Sequence, residues 1–434
     1  MIAQSHSLSR PEAPRFTAAA FVAVVLLFGA WLVLHVGFYS RNHVLDTPVY
    51  QAYGNAIARG SVPYRDFPVE YPPGALPVFA LPGLAKPGHG EVVTLGFKRT
   101  FETIIWLCGA GTLLAMTLAL RALRAERLRG WAALGFAALA PLALGSVVLG
   151  RFDLWPAFLI TAALAALLWD RLRLGCAILG VAVSVKIFPV VLLPPALLYA
   201  WRREGRREAI ACLGTAAAAV VVVFAPFVAL APAGVWHSLT GQLTRPLQIE
   251  SLGSGLLLAA HHVWGHPVTL WTTHGSQNLA GHGAHVLSAV LTAVQAAALV
   301  GVWTLFARGP ATRERLVWAS AAALTAFVAL GKVLSPQFLI WLIPAVPLVR
   351  GRRGLWASGL LALAMVLTQL WFPFRYWKLA LQFDPAASWL VLGRDVVLLA
   401  LLAVLALPRR DEERAPAPGV ASAERTPADA VTHA

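Results

Sequence analysis

Residues 46–76 read DTPVYQAYGNAIARGSVPYRDFPVEYPPGAL, a polar, acidic and aromatic stretch set between two strongly apolar segments. Asp46 follows the first apolar run directly. The order Asp46-Thr47-Pro48, then Tyr50, Tyr53 and Ile57, predicts an N-capped amphipathic helix that stops at Gly60. Such a helix lies along a membrane surface rather than across it. After it, Pro63, Tyr64, Asp66, Glu70 and the turn Tyr71-Pro72-Pro73-Gly74 bring carboxylates and aromatic faces into one short loop. Carboxylates beside aromatic platforms suit the binding of sugars.

Working outward, hydrophobic residues make up 58% of the chain and charged ones 13%, which excludes an ordinary soluble domain and predicts an all-α polytopic membrane protein. The net charge of +15 does not point to nucleic acid. The arginines fall in short loops between apolar runs, where the cytoplasmic bias of basic residues explains them. Cys108, Cys176 and Cys212 all lie inside apolar segments, so they form neither a disulfide framework nor a metal motif. The first apolar run, Phe16 to Phe38, is too long for a signal-peptide core. It reads as an uncleaved helix with a cytoplasmic tail, residues 1–15, before it.

Hydropathy and charge bias together predict about 11 to 13 transmembrane helices over residues 16–407, with large extracytoplasmic loops at 39–100 and 231–283. The Ala, Pro, Ser and Thr-rich tail, 408–434, reads as disordered and cytoplasmic. One segment decides the topology. A single helix from Leu174 to Tyr199 places Arg202, Arg203, Arg206 and Arg207 outside, whereas a short hairpin turning near Lys186 and Pro189 returns them to the cytoplasm. The hairpin is favoured, and its short arms leave Lys186 below the outer surface. A sunken lysine needs an anion.

This topology gathers Asp46, Asp66, Glu70, Arg151, Asp153, Lys186, Arg245, Glu250 and Lys332 on the outer face. Each has a plainer reading. Asp46 alone is explained as a helix cap; Asp66 and Glu70 as solvated loop residues; Arg151 and Asp153 as a pair closing a tight turn. Lys186 and Lys332 are harder to explain without a phosphate, because neither reaches far toward water from a recessed helix end. His261, His262, His266, His274, His282 and His285 have irregular spacing that matches no metal motif. His261 is placed near the acceptor cleft instead, and no metal or cofactor is expected.

The pattern Tyr50, Tyr53, PYRDF (63–67) and EYPPGAL (70–76), with GRFD (150–153), VKIFP (185–189), RPLQIES (245–251) and KVLSPQFLIW (332–341), resembles glycosyltransferase family 87 of the GT-C superfamily. Those enzymes are mostly polyprenyl-phosphate-mannose-dependent mannosyltransferases. The resemblance implies a GT-C-like bundle with surface helices in its outer loops. It also implies transfer of a hexose, mannose first, from a polyprenyl-phosphate-linked donor to a lipid or glycan acceptor outside the plasma membrane. Asp46 matches the family's catalytic base. Lys186, Lys332 and Arg151 are assigned to the donor phosphate, and Tyr50, Tyr64, Asp66, Glu70, Tyr71, Arg245, Glu250, His261 and Gln337 to sugar and acceptor. A phosphate paired with Arg or Lys leaves readily, so neither a general acid nor a divalent metal is demanded. The alternative is a transporter or flippase of lipid-linked sugars, which typically carries paired repeats and binds near the midplane.

Overall fold

The computed structural model describes residues 13–41, 44, 46–86 and 92–406. The expected terminal tails fall almost wholly outside the described residues. Helix α1 (Ala13–Val33) leads to α2 (Thr47–Ala58) and α3 (Pro77–Ala85), a pair that packs side by side. The surface helix expected after Asp46 is α2, and Gly60 with φ +86° ends its C-terminal turn. Its contact with α3 is set by two glycines. A Cβ on Gly54 would lie 2.4 Å from the Phe79 carbonyl oxygen, and one on Gly83 would lie 2.4 Å from Gly54.

Next come α4 (Leu95–Ala122), α5 (Arg127–Leu144), the single turn α6 (Val147–Gly150), α7 (Leu154–Leu168), α8 (Leu172–Val185), α9 (Leu193–Glu204) and α10 (Arg206–Leu230). Helices α8 and α9 are separated by a short 3-10 turn, Phe188–Leu192. They form the expected hairpin. Arg173 at the start of α8 pairs with Glu208 at the start of α10 at 2.6 Å, so the chain has returned to its starting end by residue 208. Asp170, just before α8, holds Arg203 at 3.0 Å and Arg313 at 2.5 Å. Arg202 bonds to the carbonyls of Ala307 and Gly309, and Arg129 to that of Leu348. The basic loops therefore collect at one end of the bundle.

The remaining elements are α11 (Pro232–Leu243), β1 (Leu247–Gln248), α12 (Leu252–Trp264), β2 (Thr269–Thr273), β3 (Ser276–Ala280), α13 (His282–Arg308), α14 (Arg313–Ala329), α15 (Gly351–Trp371), α16 (Tyr376–Gln382) and α17 (Pro385–Ala406). The strands form an antiparallel sheet in the order β1, β3, β2, which the hydropathy reading did not anticipate. Its tight turn has positive φ at both His274 (+53°) and Gly275 (+62°), the backbone of a two-residue hairpin whose twist matches that of the strands.

Among the described residues, α1, α4, α10, α13, α15 and α17 are long and apolar enough to cross a membrane. Other segments expected to cross are shorter apolar pieces, including Leu154–Leu168, Leu172–Val185 and a run of 3-10 turns within Pro336–Leu348. The protein is an all-α polytopic membrane protein in which helices of membrane-spanning length alternate with shorter apolar ones.

The glycine contact gives a test of how α2 is held. Gly54→Val forces α2 off α3 and should lower the thermal midpoint in detergent, by roughly 1–3 kcal/mol of overpacking. Gly214→Ala, where an added Cβ meets nothing within 4 Å, serves as the neutral control. Equal midpoints for the two variants would show that the α2 contact is not tight.

Candidate functional site

A cavity of about 510 Å³ opens at the end of the bundle opposite the arginine loops. Asp46, Glu70, Tyr71, Arg151, Lys186, Arg245, Glu250 and Gln337 all line it. These residues come from segments more than two hundred positions apart, brought together because α2, α6, the α8 turn, β1 and the 336–341 turns all end at this level.

Asp46 occupies the N-cap position of α2, yet its side chain makes no capping hydrogen bond. Its carboxylate instead contacts the guanidinium of Arg151 and accepts a 3.3 Å bond from the Tyr50 hydroxyl. Arg151 and Asp153, for which a mutual pair closing a tight turn is the plainer reading, are each paired elsewhere. Asp153 is 1% exposed, and its Oδ1 accepts from Lys186 Nζ at 2.6 Å and from Trp341 Nε1 at 2.8 Å. Lys186 Nζ lies 4.5 Å from the Phe152 ring centre and 5.2 Å from that of Trp341. Trp341 is itself stacked between Phe188 at 3.7 Å and Phe338 at 4.1 Å. Three of the sequence segments singled out above, GRFD, VKIFP and KVLSPQFLIW, thus meet around one ammonium group.

Glu250 is buried, and its Oε2 accepts from Gln248 Nε2 at 2.8 Å, which also donates to Ser335 Oγ. Arg394 of α17 donates to the Glu250 carbonyl oxygen at 2.6 Å and pairs with Asp395 at 2.7 Å. Burial lifts the Glu250 carboxyl to about 7, against the lowering pull of Arg394 and Arg151. On the other wall the β2–β3 turn sits against Glu70, since a Cβ on Gly275 would come within 2.7 Å of Glu70 Oε1. Arg245 donates to the His274 carbonyl of the same turn at 3.1 Å.

Other expected site residues do not line the cavity. Lys332 lies beside it, its ammonium on the Leu243 carbonyl at 3.1 Å and its own carbonyl accepting from Gln248 N. His261 bonds through Nδ1 to the His266 carbonyl at 2.8 Å and packs on Phe383. Asp66 is exposed and paired with Arg65 at 2.9 Å, which with the Val62 N–H holds its carboxyl down at about 2. Tyr64 is buried and donates to the Tyr71 carbonyl at 2.6 Å. Tyr50 lies beneath Asp46, stacked on Phe79 at 4.6 Å. Tyr50 and Tyr64 therefore support the cavity wall from behind.

Several lining residues had no role in the sequence reading: Gln248, Ser335, Phe372 and Tyr376 among them. The sheet that carries Gln248 had a usable signal, because TLWTT (269–273) followed by His274-Gly275 is a β-branched run and a hairpin turn.

Glu250 supplies a stability test. Its folded pKa of about 7 lies above the ordinary value of about 4.3. Between those values the folded chain holds a proton that the unfolded chain has released, so this contribution is complete below about pH 4 and is lost as pH rises through about 7. The midpoint of the wild type should fall relative to Glu250→Gln across that window. Parallel curves would place Glu250 in a more solvated setting.

The profile of glycosyltransferase family 87 matches residues 69–336, well over half of the chain. Among solved structures, ArnT from Cupriavidus metallidurans bound to undecaprenyl phosphate is 16% identical, covering 91% of this chain and 77% of that one with a TM-score of 0.47. No curated protein matches in sequence. GRFD and VKIFP lie inside the matched region and KVLSPQFLIW at its edge, while Asp46, Phe372 and Tyr376 of the cavity lie outside it; on a match of that extent the chain belongs to glycosyltransferase family 87.

Proposed function

We propose that the cavity transfers a hexose, mannose in the first instance, from a polyprenyl-phosphate-linked donor to a hydroxyl of a lipid or glycan acceptor, with inversion, on the extracytoplasmic face. One observation carries this reading. A carboxylate, Asp46, shares a cavity at one end of the bundle with the cations Arg151, Lys186 and Arg245, while the arginine-rich loops lie at the opposite end.

The acceptor hydroxyl gives its proton to Asp46 as its oxygen bonds to the anomeric carbon. The bond from that carbon to the phosphate oxygen breaks, and its electron pair leaves with the polyprenyl phosphate. Arg151 and Lys186 stabilise the charge that grows on the departing phosphate. Glu250 and Gln248 offer acceptors and donors to the sugar hydroxyls from the buried wall. Glu70, Tyr71 and Gln337 face the acceptor side, and Lys332 serves the rim, where it adds to the field felt by an incoming anion.

The test is incubation of membranes containing the protein with a panel of radiolabelled polyprenyl-phosphate sugars, followed by separation of labelled lipids and glycans. Label should move from the mannosyl donor. Asp46→Asn should abolish transfer while the protein remains folded, and Lys186→Met should lower donor efficiency by about two powers of ten. Transfer by Asp46→Asn at the wild-type rate, with loss in Glu70→Gln, would move the base to Glu70.

Orientation is tested separately. Arg206, exposed at the start of α10, is replaced by cysteine in a chain lacking Cys108, Cys176 and Cys212. Arg206→Cys should resist a membrane-impermeant maleimide in intact cells and react after permeabilisation. Reaction in intact cells would put the cavity on the cytoplasmic face.

A further inference from the structure

The contact between Asp46 and Arg151 conflicts with the geometry of the displacement it is meant to serve. An inverting reaction places the attacking and leaving oxygens on opposite sides of the anomeric carbon. A base hydrogen-bonded to the acceptor and a cation hydrogen-bonded to the phosphate are then separated by two hydrogen bonds, one attack distance and one C–O bond, roughly 10 Å along that path. In the structure the two side chains touch.

The surroundings indicate which partner moves. Arg151 is 8% exposed at its side chain and rises from the turn after α6, next to the fully buried Phe152. Asp46 is 33% exposed, sits at the N-cap position of a helix that its side chain does not cap, and among the described residues has the Tyr50 hydroxyl at 3.3 Å besides Arg151. The guanidinium is the fixed member and the carboxylate the displaceable one. Lys186 repeats the arrangement one step deeper, with Asp153 as its anion, but there the carboxylate is 1% exposed and anchored by Trp341. Asp153 stays where it is when an anion arrives, and Asp46 can leave.

Resting on the proposed transfer reaction, we propose that Arg151 is a ligand shared in turn by Asp46 and the donor phosphate. In the empty site it holds Asp46; in the loaded site it holds the phosphate, and Asp46 is released toward the acceptor. The base is thereby unmasked by the donor. This makes donor binding the first step and acceptor activation the second, and it gives Arg151 a second role as a positioning residue for Asp46.

The consequence is opposite to that expected of an ordinary site residue: removing the charge of the base should tighten donor-phosphate binding. The probe is a polyprenyl monophosphate, titrated against the purified full chain in detergent by isothermal calorimetry. Asp46→Asn should bind on the order of ten-fold more tightly than the wild type, the worth of a partly buried ion pair released from competition. The gain should vanish in the double variant Asp46→Asn with Arg151→Gln. Asp66→Asn, which alters an exposed carboxylate of the same loop outside the cavity, should match the wild type. Asp46→Ala provides the same charge removal should the Asn variant fold poorly. Equal or weaker binding by the folded Asp46 variants, with binding intact in the wild type, would overturn the shared-ligand inference and leave the donor reading standing. Absence of binding by the wild type and every variant would overturn the donor reading and this inference with it.

Discussion

A largely buried lysine at the end of a helix too short to span a bilayer has to find a counter-charge within the protein, and Asp153 supplies it to Lys186 at 2.6 Å. Much of the cavity end is arranged to make that pair tolerable. Trp341 donates to the same carboxylate oxygen, and aromatic rings from three separate segments, Tyr71, Phe152 and the Phe338 and Trp341 pair, surround the ammonium. Breaking such a pair by removing one partner leaves an uncompensated charge in a poor solvent, which is far costlier than the pair itself. The broken helices around it follow from the same constraint. A backbone that stops being helical at membrane depth is tolerated where it is buried in protein or lines a watery cavity, as the 186–189 and 336–341 turns do.

Charge balance governs the chemistry as closely as it governs the fold. Each of the deep cations has a carboxylate at hand: Arg151 has Asp46 and Lys186 has Asp153. Such a site is not a simple positive trap. An anion entering it would have to exchange internal ion pairs for external ones. Glu250 adds a further adjustable charge on the buried wall, secured from below by Arg394 of the last helix.

The sequence made the class of protein and the gathering of reactive groups legible because both depend on one-dimensional patterns. The α8–α9 hairpin was readable from four arginines, Arg202, Arg203, Arg206 and Arg207, whose placement admits only one economical path. Pairings were not readable in the same way. Asp153 lies two residues from Arg151 yet bonds to Lys186, while Arg151 contacts Asp46 across the cavity. Lys332 looked equivalent to Lys186 by hydropathy but sits beside the cavity, since its recess is filled by the Leu243 carbonyl. His261 was placed near the cleft by proximity to Glu250 along the chain, and the intervening helix α12 carries it away. The small sheet went unread because a long polar loop between membrane helices has no hydropathy signature, although its turn residues carry a local one.

The brevity of α8 also bears on the lipid around the protein. Fourteen residues at about 1.5 Å each rise about 21 Å, against a hydrocarbon layer of about 30 Å. A helix of that length covers about two thirds of the layer, and the protein or the bilayer must accommodate the difference. Bilayers with shorter acyl chains reduce the mismatch at a cost of only fractions of a kcal/mol per Å. Acyl-chain length therefore becomes a physical control on how α8, and the cavity residues at its end, are seated in the host membrane.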